Sequence, residues 1–170
     1  MGKYLDFDSF IDWFIINDFS KNHDARFQAS CFVYYDTDSD KIYMGPAWDF
    51  DLAFGNVSWD NCEKTDGFWV CTDGWYEQLW KLEKFRKSVK KRWNEKKQLL
   101  ASSDEWLEQQ SFLLKNAIDL NNRIYPSFGK RQWPHTKGWK DRKSHKMEIE
   151  YFSNWIKNRY AWYDEAINQL

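Results

Sequence analysis

Asn22-His23-Asp24, then Cys31-Phe32-Val33-Tyr34-Tyr35 and Lys41-Ile42-Tyr43-Met44, then Gly45-Pro46-Ala47-Trp48-Asp49-Phe50-Asp51, hold most of the architectural information in this chain. Cys31 to Tyr35 and Lys41 to Met44 are rich in β-branched and aromatic residues. Asp36-Thr37-Asp38-Ser39-Asp40 between them supplies turn formers, so the segment reads as a β-hairpin that Gly45-Pro46 brings to a stop. A hairpin returns to the place it left, so residues just before its first strand and just after its second lie near its base. Asp24 and Asp49 are thereby expected close together. Carboxylates gathered at one point repel each other unless a cation neutralises them, and oxygen-only ligands suit Mg²⁺, Mn²⁺ or Ca²⁺.

Outward from the hairpin the pattern turns helical. With Asp8 as N-cap, Phe7, Ile11, Phe14, Ile15 and Phe19 fall near one face of a helix that ends around Ser20-Lys21-Asn22. From about Val57 to Gly74 the chain is rich in Trp, Asp and Gly without clear periodicity, the signature of a long ordered loop. Three helices follow. The first starts near Tyr76, with a break around Glu83, and presents Leu82, Phe85, Val89, Trp93 and Leu100. The second opens on a capping-box pattern, Ser102-Ser103-Asp104-Glu105, and would bury Trp106, Leu113, Ala117, Leu120 and Ile124. After an irregular basic segment from Tyr125 to Ser144, the last helix carries Ile149, Phe152, Ile156, Tyr163, Ile167 and Leu170. The expected fold class is mainly α (α+β), a helical lobe with one hairpin.

Composition narrows the functions available. At 170 residues the chain is the size of one domain, residues 1–170, large enough to bury about two-thirds of its unfolded surface. The net charge of -1 argues against a nucleic-acid partner and a polybasic membrane anchor. No apolar run approaches the roughly 20 residues that span a bilayer, and Met1-Gly2-Lys3 does not begin a signal peptide. Cys31, Cys62 and Cys71 lack zinc-site spacing and read as free packed thiols, with a Cys62–Cys71 bridge as the alternative in an oxidising compartment. The 12 Trp, 9 Tyr and 13 Phe exceed an ordinary core. Packed rings are the common use of such residues, and sugar-stacking surfaces are the other. Trp59, Trp69 and Trp75 accordingly read as loop interior, with a substrate-facing platform as the alternative. Lys130, Arg131, Lys137, Lys140, Arg142 and Lys143 read as a solvated loop, with attraction of an acidic substrate or phosphate as the alternative. His135 and His145 read as surface residues, and His23 as a histidine bonded to backbone.

Phosphoryl transfer needs one carboxylate to accept the proton of an attacking hydroxyl and another on a metal that neutralises phosphate oxygens. Protein kinases supply these from a catalytic-loop Asp, a following hairpin and the Asp of Asp-Phe-Gly. Here Asp24 takes the first position and Asp49-Phe50-Asp51 the second, with Phe50 packed inward to fix Asp49. Asp51 is a further metal ligand or a cap for Leu52-Ala53-Phe54, and Asn22 orders the catalytic loop or ends the first helix.

Four runs in order, IDWFIINDFSKNHDA (11–25), KIYMGPAWDFDLAFGN (41–56), FRKSVKKRWNE (85–95) and NWIKNRYAWYDEAI (154–167), resemble the C-terminal half of the CotH kinase family. The resemblance implies an atypical kinase fold like the C-terminal lobe of a protein kinase. It also implies use of ATP with a divalent metal (Mg²⁺, or Mn²⁺ or Ca²⁺) and phosphorylation of Ser/Thr hydroxyls on a protein, as spore-coat members perform. Asp24 and Asn22 would be the catalytic pair, Asp49 and Asp51 the metal ligands. Some relatives are surface or exported proteins, so an extracytoplasmic setting belongs to the same expectation. Two departures stand out. The metal-binding Asn expected about five residues after the catalytic Asp is Ala29, flanked by Gln28 and Ser30. The glycine-rich cover and phosphate-pairing lysine have no counterpart before Tyr4, so the N-terminal lobe is expected to be absent and the fragment to turn over poorly. A non-catalytic surface or carbohydrate-binding module on the same scaffold is the competing expectation.

Overall fold

Aromatic residues placed on nearly every face make the first helix a buried axis. α1 (Phe7–Ser20) buries Phe10, Ile11, Trp13, Phe14 and Phe19 together with the polar Asn17, Asp18 and Ser20. Its N-cap is Asp6, whose carboxylate accepts from the Ser9 amide at 2.9 Å. Asp8, expected to be the cap, instead lies within the first turn and pairs with Arg92 at 2.7 Å. These features come from a computed structural model describing residues 3–26, 29–134 and 136–170, so the expectations for Met1, Gly2, Gln28 and His135 lie outside the described residues.

The hairpin forms as read: β1 (Val33–Asp36) and β2 (Lys41–Met44) pair antiparallel with Val33 opposite Met44 and Asp36 opposite Lys41. Tyr34 stacks on Tyr43 across the strands, with ring centres 5.2 Å apart. Gly45 follows, where a Cβ would sit 2.8 Å from the Phe32 carbonyl oxygen, so the strand ends at a position that excludes side chains. Met44 is buried against α1, and Leu5 bridges to Ile42, which anchors the hairpin to the start of the helix.

The long segment after the hairpin is ordered by short 3-10 turns over Trp59–Asn61 and Val70–Thr72. α2 (Gly74–Trp80) and α3 (Glu83–Lys96) then meet at the expected break, and Phe85, Val89 and Trp93 enter the core. Leu82 does not; it is the N-cap of α3 and 39% exposed. α6 (His145–Asn168) closes the core with Trp155, Ile156, Tyr163 and Ile167. His145, expected at the surface, is its first residue and half-buried, edge-on to Phe128.

The largest discrepancy is α5 (Ser103–Ile124). Its periodicity is helical, as read, but Leu107 alone among its described residues is buried. Trp106, Leu113, Leu120 and Ile124, all assigned to a buried face, are 58–65% exposed, and Ala117 is exposed as well. Apolar spacing specifies a face, not the presence of a neighbour to cover it. The capping box also fails. Short α4 (Gln98–Ala101) runs directly into Ser102, which makes no side-chain cap bond, while Asp104 turns to Ser153 and Lys157 of α6. Mainly helical structure with one two-stranded hairpin is the outcome among the described residues.

Candidate functional site

The site begins at the C-terminus of α1. Lys21 ends the helix in the left-handed region (φ 47°), its amide reaching the carbonyls of Asn17 and Asp18. The chain then enters a 3-10 turn over His23–Ala25. Asn22 is 2% exposed and works as a tie: its Nδ2 donates to Asn17 Oδ1 at 3.1 Å and to the Asp49 carbonyl at 3.2 Å. The His23 amide donates to the Leu52 carbonyl at 3.1 Å, and the Phe54 amide to the Ser20 carbonyl at 2.7 Å. The segment before the hairpin is therefore bonded directly to the segment after it.

Asp24 lies on this turn with 20% of its side chain exposed. The Ala29 amide and the Cys31 thiol each donate to its carbonyl at 3.5 Å, closing the loop back toward β1. Asp49 is exposed and has a positive φ of 63°, a conformation that costs a non-glycine residue on the order of 1 kcal/mol or more and collects at functional sites. Ser30, also at positive φ (55°), donates its hydroxyl to Asp49 Oδ2 at 2.7 Å, and its carbonyl accepts from Trp48 Nε1 at 3.0 Å. Asp51 has its carboxyl raised above the usual range by desolvation, by a hydrogen bond with Asp49 and the charge of Asp49, and by the charge of Asp24. Asp24, Asp49 and Asp51 thus share one electrostatic neighbourhood at the foot of the hairpin. Phe50 is half-buried against Phe54.

His23 does more than its expected backbone contact. Its Nδ1 lies 3.5 Å from Asp24 Oδ1 and its Nε2 lies 3.3 Å from Asp60 Oδ2, while Trp59 meets the ring edge-on at 5.4 Å. Ser30 was also missed as a site residue. The signal for it was the empty Asn position beside Ala29, where the neighbouring hydroxyl is the group that turns to Asp49.

Behind this front stands a buried ion pair that sequence reading did not single out. Arg159 is fully buried, and each guanidinium nitrogen has an acceptor: Nε on Phe19 O (3.0 Å), Nη1 on Thr65 O (2.9 Å) and Gly67 O (2.7 Å), Nη2 on Asp18 O (2.7 Å) and Oδ1 (3.4 Å). Its plane rests on Trp162 and Tyr163. Asp18 Oδ2 accepts from the amides of Trp69 and Val70, both at 2.7 Å. Burial pushes the Asp18 carboxyl upward against the pull of Arg159 and these two amides. Trp69 Nε1 in turn donates to the Asn22 carbonyl at 2.7 Å, and Arg26 lies over its ring at 4.6 Å. Trp69 is therefore loop interior, whereas Trp59 and Trp75 are 39% and 48% exposed. Cys62 and Cys71 carry free thiols with no bridge between them, and burial pushes Cys62 up to about 12.

Among the described residues no group of three or more His, Cys, Asp or Glu side chains converges closely enough to hold a metal ion by itself, and no described helix is long and apolar enough to cross a membrane. Compared with protein families, residues 1–163 match the CotH kinase protein family. The chain belongs to this family, whose fold is kinase-like. Comparison with curated proteins and with solved structures gives no match.

Proposed function

We propose that this chain is the C-terminal, metal-binding lobe of an ATP-dependent kinase that transfers phosphate to a Ser/Thr hydroxyl of a protein. The observation that carries the reading is the bonding of the turn that holds Asp24 to the segment that holds Asp49, through Asn22 Nδ2 to the Asp49 carbonyl and the His23 amide to the Leu52 carbonyl, with the Asp51 carboxyl raised beside them. Three carboxylates in one field carry a cost that a divalent cation removes. The donor set fits a hard ion: Asp49 and Asp51 supply carboxylate oxygens, and an ion such as Mg²⁺ ordinarily completes its shell with water and substrate phosphates, so two protein ligands suffice. When bound, that cation would supply neutralisation of the charge on the transferring phosphoryl oxygens.

The remaining work falls to the chain itself. Asp24 accepts the proton of the attacking hydroxyl. His23, between Asp24 and Asp60, orients that carboxylate. Asn22 holds the Asp49 backbone in register with the loop, and Ser30 fixes one oxygen of its carboxylate. Asn22 Oδ1 is buried without a partner among the described residues, a cost of about 1–3 kcal/mol that argues for a positioning duty beyond helix termination. In the protein joined to a nucleotide-covering lobe, Asp24→Asn and Asp49→Asn should each lower transfer of labelled phosphate from ATP to a protein acceptor by roughly 10²-fold or more. Undiminished transfer in either variant removes that residue from its role.

A further inference from the structure

Beside the catalytic turn lies a cleft of about 490 Å³, lined by Trp59, Trp133 and Trp139, by Arg131, Lys137 and Lys140, and by the small polar side chains of Ser58 and Thr136. Among the described residues no carboxylate lines it, in a chain whose acidic and basic residues nearly balance. Arg131, Lys137 and Lys140 form no ion pair among the described residues, whereas Arg142 of the same segment is buried and bonded to Glu148 at 2.8 Å. Of the six cations in the basic segment, Arg142 holds the loop together and Arg131, Lys137 and Lys140 line the cleft.

Trp133 is 75% exposed, and its ring centre lies 5.6 Å from that of Trp59 with the planes tilted by 42°. Large exposed aromatic surface is retained where a partner covers it. Two touching, tilted rings form a notch for one compact apolar side chain. They do not form the separated, coplanar faces along which successive sugar rings stack. Trp59 also meets His23, which meets Asp24, so the notch opens one ring away from the proposed base.

We propose that this cleft docks an acidic segment of the acceptor polypeptide, with one apolar side chain in the Trp59–Trp133 notch and Asp or Glu side chains on Arg131, Lys137 and Lys140. The assignment rests on the reading of Asp24 as the base, because that reading makes a peptide hydroxyl the group to be delivered. It extends that reading by giving the acceptor a charge and an anchor. Docking by exposed cations is screened by salt and depends on charge sign, which makes it measurable without turnover.

The test uses the 170-residue protein and fluorescence anisotropy of a labelled peptide containing one Ser, one Leu and several Glu. A second peptide with Lys in place of Glu and an oligoglucuronate serve as competitors. The acidic peptide should bind, weaken as salt rises, and lose roughly tenfold or more affinity in Trp133→Ala and in the double variant Lys137→Glu/Lys140→Glu, with melting temperatures unchanged because these side chains are exposed. Asp24→Asn should bind the peptide as the parent does. Equal binding of the basic peptide, absence of binding by the acidic one, or displacement by oligoglucuronate in preference to the acidic peptide each overturns the proposal. Intact docking combined with full phosphate transfer by Asp24→Asn overturns the catalytic reading and leaves the cleft assignment standing.

Discussion

The two sides of the His23–Ala25 turn are built in opposite ways. At the rear, Asp18 and Arg159 are fully buried, and both are bonded on every side to backbone and to each other. At the front, Asp24, Asp49 and Asp51 are partly or fully exposed, and desolvation with the charges of Asp49 and Asp24 raises the Asp51 carboxyl. Satisfied polar groups in a dry interior fix geometry, whereas like charges at a wet surface store tension that a ligand can release. The contrast teaches that the rear holds the turn in place so that the front can be electrostatically uncomfortable.

The contrast breaks most sharply at its rear. Arg159→Met should cost about 3–5 kcal/mol in denaturant unfolding, since it strands a buried carboxylate and the carbonyls of Phe19, Thr65 and Gly67. Trp69→Phe should cost about 0.5–1.5 kcal/mol by removing the shorter of the two bonds to the buried Asn22 carbonyl, which keeps the 3.2 Å bond from the Ala25 amide, and should loosen the loop without unfolding the chain.

A subtler mark of the same rear wall is its pH dependence. Burial first, then the charge of Arg159, lowers Lys21 to about 8 in the folded protein against an ordinary 10.5. Between those values the unfolded chain holds a proton that the folded one does not, so this lysine makes stability rise with pH through that window. Cys62, pushed up to about 12, acts in the opposite sense above its ordinary 9. The comparison of Lys21→Met with the parent isolates the lysine. The difference in unfolding free energy should stay flat below pH 8 and shift in favour of the parent as pH approaches 10.

The smallest effect belongs to the front. Asp51→Asn removes one of the crowded carboxylates and should change stability by less than about 1 kcal/mol without divalent ions. The parent should melt higher on adding Mg²⁺ or Mn²⁺ and lose that increment with a chelator, while Asp51→Asn should respond weakly. Equal metal responses would show that the carboxylates do not share a cation.

Much of the front was legible because it is local. Turn formers between two β-rich runs define a hairpin, and a hairpin forces its flanks together, so Asp24 and Asp49 could be named as neighbours from residue order. The rear was illegible because its pair is separated by 141 positions and its acceptors are mostly backbone carbonyls, which leave no mark in side-chain order. His23 and Ser30 fell between these cases. Both sit on the turn, but the partners that give them a role, Asp60 and Asp49, arrive from loops whose path no periodicity records.

The sequence alone determined the helices, the hairpin and the juxtaposition of carboxylates, because these follow from short-range periodicity and from the closure of one antiparallel turn. Tertiary structure decided which apolar faces found cover, as α1 did and most of α5 did not, and where the fully buried Arg159 would place its five N–H donors. It also decided that Trp59 and Trp133, far apart in the chain, would meet beside the His23–Ala25 turn. Burial and long-range bonding depend on which surfaces come together in space, and residue spacing along a chain specifies only the surfaces on offer.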